Sequence, residues 1–207
     1  MARQLAPDKR EKFLSAALKL FVTHGVQNTS TAAIAKEAGT AAGTLFLYFP
    51  TKQDLINELV LQISRDQSEY MKTLLDPSLP VRDTFFSIWQ GCIRWFLEHR
   101  DAYEYIQQVR DTGIVDEAIV QESGKSFVYF YDAIQKGVDE GALKPYPLEV
   151  IGAFLYQDIV AVMNLIRIQP GLEKQEEIIQ AGFDIFWDGV RAGPKQLPRS
   201  SGRKQKL

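Results

Sequence analysis

The chain has 207 residues, 45% of them hydrophobic and 24% charged, with a formal net charge of -2. That is enough for a small domain beside a larger one with its own core. A single cysteine, Cys92, excludes a disulfide framework, and His24 and His99 do not complete a zinc site with it. No apolar signal core opens the chain and no apolar run approaches the ~18 residues a bilayer needs, so a cytoplasmic protein without membrane contact is expected.

The net charge hides a division. Residues 1–55 hold seven Lys/Arg against four Asp/Glu, residues 191–207 hold six and none, and residues 56–190 hold eleven against twenty-two. A basic head on an acidic body suits a protein that meets phosphate with one end only, although a local surplus of three charges is common on any soluble domain.

Residues 1–6 read as a flexible arm carrying Arg3. Pro7 suits the first turn of a helix, with Asp8 and Glu11 at its positive end. Phe13, Leu14, Ala17, Leu18, Leu20 and Phe21 form its apolar stripe, and Gly25 ends it behind His24, a polar helix end. Residues 30–57 then read as two short helices, a tight turn and the start of a third. Ser30 caps the first, Ile34 anchors it and Gly39 stops it. A second helix from about Ala41 buries Leu45 and Phe49. Pro50 breaks the chain and Thr51 restarts it, with Asp54 in the first turn. Two short helices around a glycine-containing turn make a helix-turn-helix.

The helix from Lys52 runs to about Leu75, until Asp76, Pro77 and Pro80 end it. Helices follow over 81–98, from Tyr103 to Val109, briefly over 116–122, and over 126–140, separated by a turn at 99–101, Thr112-Gly113 and Gly141. Two long helices, 148–168 and 173–191, finish the fold. The first is apolar almost all round, which predicts burial on two sides. Residues 193–207 read as a disordered basic tail. With no alternating pattern and no repeat, the fold class is all-α: a helix-turn-helix domain over 1–55, a larger helical domain over 56–192, then the tail.

The strings I-A-K-E-A-G, G-T-L-F-L-Y-F and T-K-Q-D-L-I, within residues 11–59, resemble the DNA-binding domain of TetR-family transcriptional regulators. The rest of the chain resembles the family in length and helical character alone, and the resemblance implies a DNA-binding domain over 1–55 followed by a helical ligand-binding and dimerisation domain over 56–192. The resemblance implies phosphate contacts from Thr29, Ser30, Tyr48 and Lys52, and base contacts from the second helix of the motif. Each also has another explanation: caps for Thr29 and Ser30, packing for Tyr48, a solvated charge for Lys52. On the reading surface stand Thr40, Ala41, Ala42, Gly43, Thr44 and Leu47. No Arg, Lys, Asn or Gln is there to make the bidentate contacts that discriminate bases best. Readout therefore has to come from methyl contacts, threonine hydroxyls and DNA shape.

The body holds most of the aromatic residues. Trp89, Phe96, Phe127, Phe130 and Tyr131, with the carboxylate of Asp158, are the candidate pocket for a small lipophilic or aromatic effector, while a purely structural core is the other explanation of the same pattern. Asp158 serves either that pocket or an ion pair at a dimer interface. The expected function is a repressor acting as a homodimer on a near-palindromic operator in double-stranded DNA, released by that effector. A helical protein acting through protein–protein contacts, or a ligand-independent regulator, is the alternative. The last two helices, with Phe183, Phe186 and Trp187, are the expected dimer surface. A ligand wedged between the helix from Lys52 and the aromatic helices is the expected trigger of release. No phosphate loop, nucleophile motif or ligand cluster points to an enzyme, a metal or a cofactor.

Overall fold

The computed structural model describes residues 6–110, 112–169 and 171–193. The expected N-terminal arm up to residue 5, Arg3 included, and the tail beyond Gly193 lie outside these residues. Among the described residues all regular structure is helical, apart from one isolated bridge pairing Leu143 with Arg191. The chain divides into two compact units, residues 1–75 with 90–128, and residues 76–89 with 129–207.

The first unit begins with α1 (Pro7–His24), which Gly25 ends at φ 84°. Helices α2 (Thr31–Glu37) and α3 (Ala42–Tyr48) follow, with Gly39 at φ 69° in the turn between them. The Ser30 hydroxyl accepts the Ala33 amide at the start of α2. Helix α4 (Lys52–Lys72) opens with a full capping box, in which Thr51 and Asp54 satisfy each other's backbone. The unit also takes the second half of α5 (Val81–Glu98), then α6 (Arg100–Val109), α7 (Glu117–Gly124) and a 3-10 turn (Lys125–Phe127). Its core joins Phe13, Phe21, Ile34, Leu45, Leu55, Met71 and Ile93, each fully buried and each worth ~1.5–3 kcal/mol of burial. Tyr105 ties three helices together. Its ring lies 5.9 Å from Phe21 of α1, and its hydroxyl donates to the Ile56 carbonyl of α4 at 2.8 Å. The expected turn over 99–101 shrinks to His99 alone. Only that residue leaves helical geometry, and Asp101 is favourable at the positive end of α6.

The second unit holds the first half of α5, α8 (Val128–Asp139), α9 (Leu148–Ile168) and α10 (Leu172–Val190). Trp89 is fully buried, donates its indole N–H to the Ile179 carbonyl at 2.9 Å, and stacks on Phe186 with ring centroids 6.1 Å apart. Phe85 and Phe183 complete this aromatic core. Phe183 and Phe186 were expected on an outer surface of the last helix; the periodicity that placed them together also suits the face that α10 turns toward α9 and α5.

Helix α9 buries Ile151, Leu155, Ile159, Val162 and Ile166 on one side only. Val150, Phe154, Leu165 and Ile168 stand exposed on the other, Phe154 at 63%. The expected burial on two sides is thus not met within one chain. By length and hydropathy α9 would also suffice to cross a bilayer, with a third of its most apolar window buried. That corrects the expectation that no run came near this length: Glu149, Asp158 and Arg167 interrupt the apolar residues without lowering their mean far enough.

Candidate DNA interface and ligand-binding residues

Helix α3 presents the candidate reading surface because Leu45 pins its opposite side. Leu45 is fully buried, while Ala41, Ala42, Gly43 and Leu47 are exposed, Leu47 at 66%. Thr44 is half-buried on the same helix. Thr40 sits in the turn, half-buried, with its hydroxyl donating to the Ala35 carbonyl at 3.3 Å. One residue escaped the sequence reading. Phe46, between Leu45 and Leu47, is 46% exposed. An apolar letter in an apolar string reads as core, yet one step along a helix turns ~100° away from the buried neighbour, and that signal was available.

The candidate phosphate contacts differ among themselves. Ser30 is exposed, and its hydroxyl accepts a backbone amide with its own proton still available. Thr29 points inward: it is 3% exposed and its hydroxyl faces the carbonyls of Gly25 and Leu20 at 2.9 and 3.2 Å. A buried hydroxyl bonds to the backbone in preference to remaining unpaired, so this side chain closes the α1–α2 turn. Tyr48 packs its ring 5.5 Å from Phe13 and accepts the Ala6 amide on its hydroxyl. Lys52 is half-buried, with its ammonium 3.4 Å from the Gln27 carbonyl and 6.0 Å above the Phe21 ring. Burial lowers its pKa.

Behind these residues, Glu58 bridges Arg10 of α1 and Arg65 of α4. Burial alone would push its carboxyl up, but the hydrogen bonds from Arg10 and Arg65 win and hold it below the usual range. Arg10 also lies over the Phe49 ring at 5.5 Å. A pocket of about 310 Å³ opens here, lined by Arg10, Tyr48, Phe49, Asp54, Glu58 and Ile119 among others.

None of the six candidate effector residues lines that pocket. Phe96 and Phe127 belong to the first unit, and Trp89, Phe130, Tyr131 and Asp158 to the second. Phe96 packs on Tyr103 at 5.3 Å and Phe127 is half-buried. Phe130 is buried beside Phe85, whereas Tyr131 is 40% exposed. Asp158 is half-buried, and desolvation pushes its carboxyl up. Cys92 is half-buried in area, but surrounding atoms push its thiol up to about 12, which leaves it neutral and unreactive. Among the described residues no group of His, Cys, Asp and Glu could hold a metal.

The fold and the geometry of α2 and α3 define a helix-turn-helix DNA-binding protein with a large helical remainder. Residues 13–59 match the family "Bacterial regulatory proteins, tetR family", and residues 55–192 match "Tetracyclin repressor-like, C-terminal domain". The chain belongs to the TetR family of transcriptional regulators, whose members bind operator DNA and dimerise. It is 22% identical to the HTH-type transcriptional regulator YhgD of Bacillus subtilis, over 81% of this chain and 90% of that protein. Identity is also 22% to the HTH-type transcriptional regulator SrpR of Pseudomonas putida, covering 95% and 93% of the two chains. A solved TetR family transcription regulator from Shewanella sp. PV-4 superposes with a TM-score of 0.84 at 25% identity, over 89% of this chain and 99% of that one.

Proposed function

We propose that this regulator is a repressor acting in the cytoplasm, that it reads a near-palindromic operator through α3, and that a small lipophilic or aromatic effector releases it. The observation that carries the DNA-reading part is the exposure of Leu47 and Phe46 on a helix whose opposite side is held by a fully buried Leu45. A soluble helix gains nothing by holding two large apolar side chains in water, unless a partner covers them. The major groove rewards such groups at the C5-methyl of thymine. Each half-site should therefore hold a critical A·T pair. Phosphate contact is assigned to Ser30, Tyr48 and Lys52, while Thr29 supports the turn that presents them.

The test is a titration of the dimer on its own upstream DNA, with thymine or uracil at each position in turn. Uracil keeps every hydrogen-bonding group and removes one methyl, so affinity should fall at one or more positions per half-site. Equal affinity at all positions would refute methyl readout. For the effector, a flat aromatic compound titrated against free and operator-bound protein should bind the free form more tightly. Equal affinity for both forms excludes induction, because a ligand shifts an equilibrium only through its differential affinity.

A further inference from the structure

Helix α4 is tied in two directions soon after its start. Glu58 pairs with Arg10 of α1, on the side of the helix-turn-helix. Its neighbour Asn57, 8% exposed, leaves the helix ~100° further round and meets the chain that joins α6 to α7. The Asn57 amide donates to the Asp116 carboxylate at 2.6 Å, and its carbonyl oxygen accepts the Asp116 backbone amide at 3.3 Å. Gln53, one turn earlier, donates to that same Asn57 oxygen at 3.0 Å and to the Ile114 carbonyl at 2.8 Å. All of these groups belong to the first unit.

Asp116 stands at the N-cap of α7, where a carboxylate ordinarily accepts the helix's own leading amides. Here it makes no such bond and reaches across to Asn57 instead. No residue of α7 is buried, so apolar burial does little to fix where this segment lies along α4. Apolar surfaces tolerate a small rotation of one helix against its neighbour, whereas a buried network of directional bonds admits one arrangement. Two ties ~100° apart around the axis therefore hold α4 against rotation. Because α3 ends at Tyr48 and α4 starts at Lys52, such a rotation would be passed directly to the helix-turn-helix.

We propose that Asn57 and Asp116 are positioning residues for operator binding: the bond between them fixes the rotation of α4, and with it the placing of the helix-turn-helix on each half-site, with no contact of their own to DNA. The inference rests on operator binding as such, and not on which of the residues proposed above meet phosphates or bases. Specific binding needs both recognition helices of a dimer to enter the major groove in register, whereas unrelated DNA is held by phosphate contacts that tolerate misplacement. Loss of the Asn57–Asp116 bond should therefore lower the ratio of operator affinity to unrelated-DNA affinity, not both affinities together.

The test reads that ratio at pH 8, for the full-length protein on its own upstream operator and on unrelated duplex DNA. Asn57→Asp sets a second carboxylate against Asp116 and should lower the ratio about tenfold, the size of a coupling between directly bonded groups. Adding Asp116→Asn exchanges donor and acceptor and leaves every bond of the network possible, so the double variant should return to within about threefold of the parent. The extra negative charge of Asn57→Asp weakens binding to both DNAs alike, and so does a smaller folded fraction; neither moves the ratio. An unchanged ratio in Asn57→Asp, or a double variant no better than the single one, would overturn the proposal and leave reading through α3 standing. Should Asn57→Asp fail to fold, Asp116→Ala decides, because Asp116 is exposed and its side chain caps nothing. A ratio lowered by about threefold or more sustains the proposal. An unchanged ratio overturns it, whatever happens to the melting temperature.

Discussion

At the scale of single residues, Lys52 and Glu58 do opposite jobs on one helix. Lys52 spends part of its ammonium on the Gln27 carbonyl, yet keeps donors for a phosphate. Lys52→Ala should weaken DNA binding about equally on all sequences and reduce the slope of log affinity against log salt by about one. Salt titrations on operator and unrelated DNA check this, and an effect confined to one operator variant would make Lys52 a base reader. Glu58 is bonded by Arg10 and Arg65, so its carboxyl ionises more readily in the folded chain than its ordinary value near 4.5. A depressed carboxyl pKa stabilises the fold above the unfolded value, and that contribution disappears as pH falls through the folded value. Glu58→Gln should therefore be less stable than the parent at pH 6, by no more than ~1 kcal/mol because solvent screens pairs this exposed, with a narrower gap at pH 3. Denaturant midpoints at the two pH values measure it; a constant gap would assign the loss to packing.

Between elements, α10 packs closely on its neighbours at Gly182. A Cβ there would lie 2.5 Å from Val162 of α9 and 2.9 Å from the Trp89 ring, both buried and unable to swing away. Gly182→Ala should cost ~1–3 kcal/mol as overpacking, despite the better helix propensity of alanine. Thermal melting checks it: an unchanged or raised midpoint would mean that the three helices can separate by several tenths of an ångström at no cost. The helices themselves were legible because Gly25, Gly39, Gly113 and Gly141 mark their ends and the apolar spacing marks their faces. What fills a given face was less legible. Trp89 and Phe127 share an aromatic helical pattern, but only tertiary contact shows that Trp89 is locked by Phe183, Phe186 and the Ile179 carbonyl. Thr29 misled for a similar reason: a threonine before a helix suits an outward hydroxyl or an inward one, and acceptors nine and four residues earlier decide. Gln67 of α4, only 6% exposed, left no trace at all, since a glutamine inside a long amphipathic helix reads as solvated.

For the whole molecule, the exposed side of α9 is the surface that dimerisation is expected to cover. Val150, Phe154, Leu165 and Ile168 fall on one stripe running nearly the length of the helix, ~27 Å at 1.5 Å per residue, and Ile185 of α10 adds a further exposed apolar group. Two copies related by a two-fold axis can press such stripes together, each residue meeting its own symmetry mate or a near neighbour. Phe154 is the most telling position. Phe154→Arg would put two guanidinium groups into that seam, with only the Asp158 carboxyl one turn along to accept from them, at a desolvation cost of several kcal/mol per ion. Sedimentation at micromolar concentration should show the variant as a monomer. Its operator affinity should collapse, because each half-site is then held by one head alone and the second contact no longer follows at high effective concentration. Asp158 supplies the opposite arm of the experiment. Half-buried beside this stripe, its carboxyl is already pushed up by desolvation, and further burial in a dimer pushes the same way. Pairing of the two copies then takes up a proton, so the dimer should tighten as pH falls, and Asp158→Asn should be tighter than the parent at neutral pH. A weaker Asp158→Asn dimer would show instead that the carboxylate is ionised and paired with a cation across the seam, whereas an unchanged dimer would remove Asp158 from the interface.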